Sequence, residues 1–387
     1  MITEVKIQNF RGIKSLELKD LSKVNIFVGG NSVGKTSILE AICCAASGGA
    51  PNTALSISRQ RGFLKPTYKD SIGITSMFPD LNPYNKIRVD LVWKKEPVLF
   101  EAQGFDSNEA FNIVSDKFKN AVSFSSLTYN PESEASRGSE KPVAKIGFGY
   151  AQKIFGGHNG HYSGITLYQD NSSTSEDLCS HRIGEDLIWP SVLLNRITEK
   201  SNDVGSWDAI QMRLGKLDQE QRLEPLITIL KTICPNLKSL SFAPVITPNG
   251  RDFRIMADTG GRTKFPVSIL GEGFIWGMAL FATCLTRATG VVAIDEIDNG
   301  LHHTSMENIW KGVIRLQQHA AETQMFCTTH SEELLEKTLR PFAGREDDLR
   351  IFRVGRTSNG NIVTNNLRYE DIAKSKNPSH GKPVHIT

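Results

Sequence analysis

The chain has 387 residues, 39% hydrophobic and 22% charged, which suffices for one large domain with a sizeable core or for two modest ones. Its net charge of +3 permits contact with nucleic acid but lacks the clustered basicity that would argue for it. The six cysteines (Cys43, Cys44, Cys179, Cys234, Cys284, Cys327) form no CxxC pair, which argues against a disulfide scaffold or zinc site and fits a reducing cytosol.

Val5, Ile7 and Phe10 alternate with polar residues as in a half-buried strand, and Ile13 to Leu18 repeats the pattern after Arg11-Gly12. Val24 to Val28 is a short apolar run that stops at Gly29-Gly30. A helix is predicted from Lys35, with Ile38, Leu39, Ile42 and Ala45 on one face and Gly48-Gly49 at its end. Ile87-Val89-Leu91 and Val98-Phe100 read as antiparallel strands, and Asn130 to Ser180, rich in Gly, Ser and Asn, as loops with short strands. Residues 206–233 read as helical, with Leu223, Leu226, Ile227 and Leu230 in register before Cys234-Pro235.

A further helix is expected after Gly273, carrying Ile275, Met278, Ala279 and Ala282. Its stretch Ile269–Leu285 contains Glu272 and is too short to span a bilayer, and Met1-Ile2-Thr3-Glu4 opens no signal peptide. A soluble, cytoplasmic protein without membrane contact is expected. The apolar strand Val291–Ile294, a helix around Met306–His319 and the strand Met325–Cys327 follow. Ser358-Asn359-Gly360 then joins Ile351-Phe352 to Ile362-Val363 as a hairpin. Continuous apolar strands alternating with helices predict an α/β fold around a mainly parallel sheet. Within one domain over 1–387, we expect an N-terminal lobe (1–190) with an antiparallel β part, a helical insertion (191–240) and a C-terminal lobe (241–387).

Gly29-Gly30-Asn31-Ser32-Val33-Gly34-Lys35-Thr36 matches GxxxxGK[ST] in strand–loop–helix context, with Ser37 next in the helix. Glycines let the backbone wrap a phosphate, and the exposed N–H groups at a helix start favour the anion. Lys35 is expected on the β- and γ-phosphates of ATP and the Thr36 hydroxyl on Mg²⁺. After the apolar strand, Asp295 is placed to hold Mg²⁺ and Glu296 to polarise the attacking water. His330, in Thr328-Thr329-His330-Ser331, ends the neighbouring strand, where parallel sheets bind ligands. Ser268-Ile269-Leu270-Gly271-Glu272-Gly273 opens a helix, and its glycines suit a phosphate from another subunit.

These motifs, with Asn9-Phe10-Arg11-Gly12 and Ile294-Asp295-Glu296-Ile297-Asp298-Asn299-Gly300-Leu301-His302, occur in one order. That order resembles the ABC-type ATPase domain shared by RecF, SMC and overcoming-lysogenization-defect (OLD) proteins. It is most similar to the single-domain OLD-like form, over residues 1–45 and 265–370. The resemblance implies a head-to-tail homodimer or higher homo-oligomer. Gly271, Glu272 and Gly273 of one subunit would close over ATP on the other, Asp298 to Leu301 would cross between sites, and Arg11 would lie near the nucleotide. The signature serine of that family is displaced: Ile269 stands in its place, beside Ser268. Gln152 and Gln169 are candidates for a glutamine that senses the γ-phosphate.

Lys35 and Asp295 are 260 residues apart without sustained heptads, so long coiled-coil arms do not fit. The 57 residues after His330 contain Glu346-Asp347-Asp348 but not the spacing of a Toprim nuclease, so no nuclease activity is expected in this chain. The resemblance therefore implies an ATPase that regulates a separate effector, commonly a nuclease, in bacterial defence against phage. The alternative is a DNA-repair ATPase, with Arg59, Arg61, Lys65 and Lys69 on phosphates and Phe63 and Tyr68 stacking on bases. A transporter subunit is disfavoured by Phe10-Arg11-Gly12 and Gly271-Glu272-Gly273, and a non-hydrolysing scaffold by Glu296.

Overall fold

The computed structural model describes residues 1–46, 76–82, 85–93, 95–105, 145–153, 161–168, 191–194, 207–247, 250–286, 289–298, 303–331 and 340–367, and single residues 57, 61, 335 and 338. Alternation at the N-terminus produces β1 (Ile2–Phe10) and β2 (Ile13–Leu18), which pair antiparallel with Ile2, Val5, Ile7 and Phe10 buried. They continue into β4 (Ile87–Trp93), β5 (Glu96–Phe105), β6 (Lys145–Lys153) and β7 (His161–Tyr168), in the order β2-β1-β4-β5-β6-β7.

The second sheet has β3 (Val24–Val28) near its middle. Its order is β15-β14-β3-β13-β12-β8, with β14 (Leu349–Arg356), β13 (Glu322–Thr329), β12 (Thr289–Ile294) and β8 (Ser191–Leu194) linked by parallel pairings. β15 (Ile362–Leu367) returns antiparallel from the Ser358-Asn359-Gly360 turn. Parallel strands covered on both faces need apolar residues on both, and β3 is buried throughout.

Two cores lie on opposite faces of this sheet. Val24, Ile26, Val28, Val292, Ile294, Met325 and Cys327 meet α2 (Trp207–Gln219), α3 (Leu223–Leu230), α4 (Glu272–Thr286) and α5 (His303–Leu316). On the other face Phe27, Val291, Ala293, Phe326 and Phe352 meet α1 (Lys35–Ala46) and the antiparallel sheet. Buried Gln324 ties the two sheets: its amide donates to Ile2 O and Ser22 O and its Oε1 accepts from Ile2 N–H. Cys43, Cys44, Cys284 and Cys327 are buried. Burial raises all four thiols, Cys284 to about 12, which keeps them protonated and inert.

Some elements differ from expectation. α1 is buried on every side from Ile38 to Ala46 rather than along one stripe, because it lies between two sheets. Gly48-Gly49 fall outside the described residues. The single helix expected over 206–233 is two, broken at Glu220–Arg222 where Gln221 takes φ 55°. Residues 191–240 hold a strand besides these helices, since Ser191-Val192-Leu193-Leu194 pairs with β12. The strands within 130–180 are long, nine and eight residues. A three-stranded sheet, β9 (Ser239–Thr247), β10 (Gly250–Asp258) and β11 (Phe265–Pro266), was not anticipated.

Candidate nucleotide site

β3 delivers Gly29 to α1 through the predicted loop, and the hairpin β14–β15 buttresses that loop closely. A Cβ at Gly29 would collide with Val354 O, and one at Gly34 with Ile362 Cδ1. Gly34 also takes φ +107°, so the backbone demands glycine there, while a Cβ would push the Ile362 side-chain end aside. Ser32 is left-handed (φ 60°), and its carbonyl accepts from Arg356 Nε at 3.2 Å. Arg356 also bonds Gly360 O and lies against Gly12, so the C-terminal hairpin, the β1–β2 turn and the phosphate loop are fastened together.

Lys35 is 5% exposed and donates to Gly29 O (2.9 Å) and Gly30 O (2.7 Å). Its Nζ also lies 3.1 Å from His330 Nδ1, and His330 Nε2 lies 3.0 Å from Glu296 Oε1. The ammonium has only donors, so Nδ1 accepts and the Nε2 proton goes to Glu296. Burial lowers the Lys35 pKa, against the opposing pull of Asp295, Glu296 and Asp298. Parallel pairing of β12 with β13 and of β13 with β3 brings these ends together from residues 295 apart in sequence.

Thr36 Oγ1 stands 3.0 Å from each carboxylate oxygen of Asp295. An all-oxygen pair facing a phosphate loop fits Mg²⁺, which takes few protein ligands and completes its shell with water and substrate phosphates. Among the described residues no cluster of three His, Cys, Asp or Glu side chains is placed to hold a metal.

Arg11 points to α1. Its Nε donates to Glu40 Oε2 at 2.6 Å and its Nη1 to Ser76 O at 3.0 Å. Glu40, 1% exposed and one helical turn beyond Thr36, also receives Arg61 Nε at 2.7 Å. Arg61 is thus bound to a buried carboxylate. Arg59, Phe63, Lys65, Tyr68 and Lys69 lie outside the described residues.

The signature segment is built differently. Val267 is buried and Leu270 packs on the core, whereas Ile269 between them is 69% exposed. Gly271 takes φ 87° and ψ 165°, a combination open essentially to glycine alone, and nothing lies within 4 Å of where its Cβ would stand. Gly271 and Glu272 are exposed, and α4 starts at Glu272. Asp298 follows the acid turn, while Asn299 to His302 are outside the described residues, as is Gln169. Gln152 lies on β6 opposite Tyr162. Two contributors carried no local signal: Arg356, because its partner is 324 residues away, and Thr328, because its role depends on the neighbouring strand.

The chain is similar to AAA ATPase domains. Residues 1–47 match the family "AAA ATPase domain", and residues 188–336 match "AAA domain, putative AbiEii toxin, Type IV TA system". An "ATP/GTP phosphatase" of Helicobacter pylori is 21% identical over 87% of this chain and 87% of its own length. An uncharacterised protein of Methanocaldococcus jannaschii is 27% identical over 62% of this chain and 90% of its own. Among solved structures, an SMC head bound to the C-winged helix domain of ScpA is 16% identical with TM-score 0.47, covering 95% of this chain and 98% of that one. The SMC head of Thermotoga maritima is 14% identical with TM-score 0.42, covering 95% and 99%. Among the described residues no helix is long and apolar enough to cross a membrane.

Proposed function

We propose that this chain binds and hydrolyses ATP and uses the cycle to assemble and release a homodimer that regulates a separate effector. The observation that carries the catalytic reading is the convergence of Lys35 and Thr36 at the start of α1 with Asp295, Glu296 and His330 just past the ends of β12 and β13.

Bound phosphates would take over the Lys35 donors now spent on Gly29 O and Gly30 O. The loop N–H groups and the start of α1 add positive potential there. Mg²⁺ held by Thr36 and Asp295 would neutralise phosphate charge. Glu296 is 44% exposed on its side chain, open to a water molecule, and orients it or accepts its proton. His330 touches both Glu296 and Lys35, so it links the base to the cation that grips the terminal phosphate.

Glu296→Gln tests this directly, because glutamine keeps an oxygen to accept from His330 while losing the base. Turnover should fall by at least ~100-fold with ATP affinity retained. Unchanged turnover would remove Glu296 from the chemistry. Light scattering of the same variant with and without ATP and Mg²⁺ tests assembly: an ATP-dependent rise in mass supports the head-to-tail dimer, and an oligomer indifferent to ATP sinks it.

For the effector, the resemblance to single-domain OLD-like proteins supports a nuclease partner in phage defence. Arg61 held by Glu40 weakens the DNA-repair alternative, which needs free cations for phosphate. Stable complex formation with a neighbouring gene product supports regulation. Tight, strongly salt-dependent DNA binding by the isolated chain would favour repair instead.

A further inference from the structure

Thr328, the penultimate residue of β13, has no exposed surface. It meets the acid turn after β12 at three points. Its Oγ1 accepts from the Glu296 N–H at 2.8 Å and lies 2.6 Å from Asp295 Oδ1, while its carbonyl accepts from the Ile297 N–H at 3.0 Å. A hydroxyl has one proton. Since the Glu296 amide can only donate, that proton goes to Asp295.

The turn needs such restraint. Glu296 sits at φ 50°, a left-handed conformation that costs a non-glycine residue about 1–3 kcal/mol and persists only where its surroundings hold it. The side chain at this strained position is the one that meets His330. Asp295, meanwhile, receives hydroxyls from Thr328 near the end of β13 and from Thr36 at the start of α1, and together they fix the plane of its carboxylate. The neighbouring threonine acts on the other partner. Thr329 Oγ1 accepts from Ser331 N–H at 3.0 Å, and this closes the turn that carries His330.

We propose that Thr328 is the positioning residue of this site, presetting Asp295 toward Thr36 and holding Glu296 in its left-handed conformation through one hydroxyl. Without that hydroxyl the Glu296 amide loses this acceptor and the Asp295 carboxylate loses one of the two hydroxyls that fix its plane. Both carboxylates then lose their aim together, although neither has been altered. The proposal rests on the reading that this chain hydrolyses ATP here.

The test uses full-length wild type, Glu296→Gln, Thr328→Val and Thr328→Ser. Valine keeps the shape and removes both side-chain hydrogen bonds, whereas serine keeps the hydroxyl and loses only a methyl. Two readouts are taken: kcat and KM for ATP, and the Mg²⁺ concentration needed for a non-hydrolysable ATP analogue to raise the melting temperature. Thr328→Val should lower kcat ~10- to 100-fold, the usual range for a group that orients a ligating residue, and should need more Mg²⁺. Its KM should stay within about threefold of wild type, and Thr328→Ser should recover kcat to within about threefold. Should valine melt early without nucleotide, Thr328→Ala removes the hydroxyl without adding bulk. Wild-type kcat and Mg²⁺ demand in Thr328→Val would overturn the proposal. So would Thr328→Ser falling as far as valine, which would make the residue a packing element. If wild type shows no turnover above Glu296→Gln, the ATPase reading fails, and the Mg²⁺-dependent melting still decides whether Thr328 aims Asp295.

Discussion

The phosphate loop and the signature segment are both glycine-bearing entries to a helix, yet they are finished to different degrees. Around the first, Val354, Ile362 and Arg356 of the C-terminal hairpin close on Gly29, Gly34 and Ser32, so that a Cβ would meet the Val354 carbonyl at Gly29 and the Ile362 side-chain end at Gly34. Around the second, Gly271 has open space and Ile269 stands exposed between two anchored neighbours. The first segment is shaped by its own chain. The second is held at its root by Val267 and Leu270 and exposed at its tip.

Lys35→Ala should produce the largest effect, since it deletes the cation at the centre of the finished region. ATP affinity should fall at least about 100-fold by titration calorimetry, the loss of two charge-assisted bonds at roughly 1.5–3 kcal/mol each. Retained affinity would mean that the loop is not the phosphate site. The glycines come next. Gly34→Ala adds a collision with Ile362 to left-handed strain and should cost ~2–4 kcal/mol in denaturant unfolding, partly relieved by Ile362→Val. Gly271→Ala carries strain without collision and should cost ~1–3 kcal/mol, with no relief from any packing partner. Equal costs with equal relief would erase the contrast.

How much was visible beforehand follows the same division. The phosphate loop, the acid turn and His330 were legible because their chemistry demands fixed residues at fixed spacing after apolar strands. The paired β4 and β5 were legible because alternation survives in Ile87-Val89-Leu91. Glu40 was not: on an amphipathic reading it belongs on a wet face, and only the two-sided burial of α1 makes it the carboxylate shared by Arg11 and Arg61. β9 was hidden by Pro244, tolerated because β9 is an edge of its sheet. Arg356 and Thr328 act across strand pairings that no local pattern announces.

Ile269 gives the smallest effect on the folded chain and the sharpest test of the exposed region. Buried Val267 fixes the turn from below, so the exposed side chain has a defined place without contributing to the core. Ile269→Glu should therefore leave unfolding free energy within about 0.5 kcal/mol, the norm for a surface substitution. Nucleotide affinity should also be unchanged, since Lys35 and the hairpin that shapes its loop are untouched. If two copies meet through this segment, however, a charge on the tip must be desolvated on every encounter. ATP-dependent association of a Glu296→Gln background should then weaken ~10-fold or more in sedimentation, about 1.4 kcal/mol. Association as strong as before would move the interface away from the signature turn. Gly271 would then need another reason for its conformation.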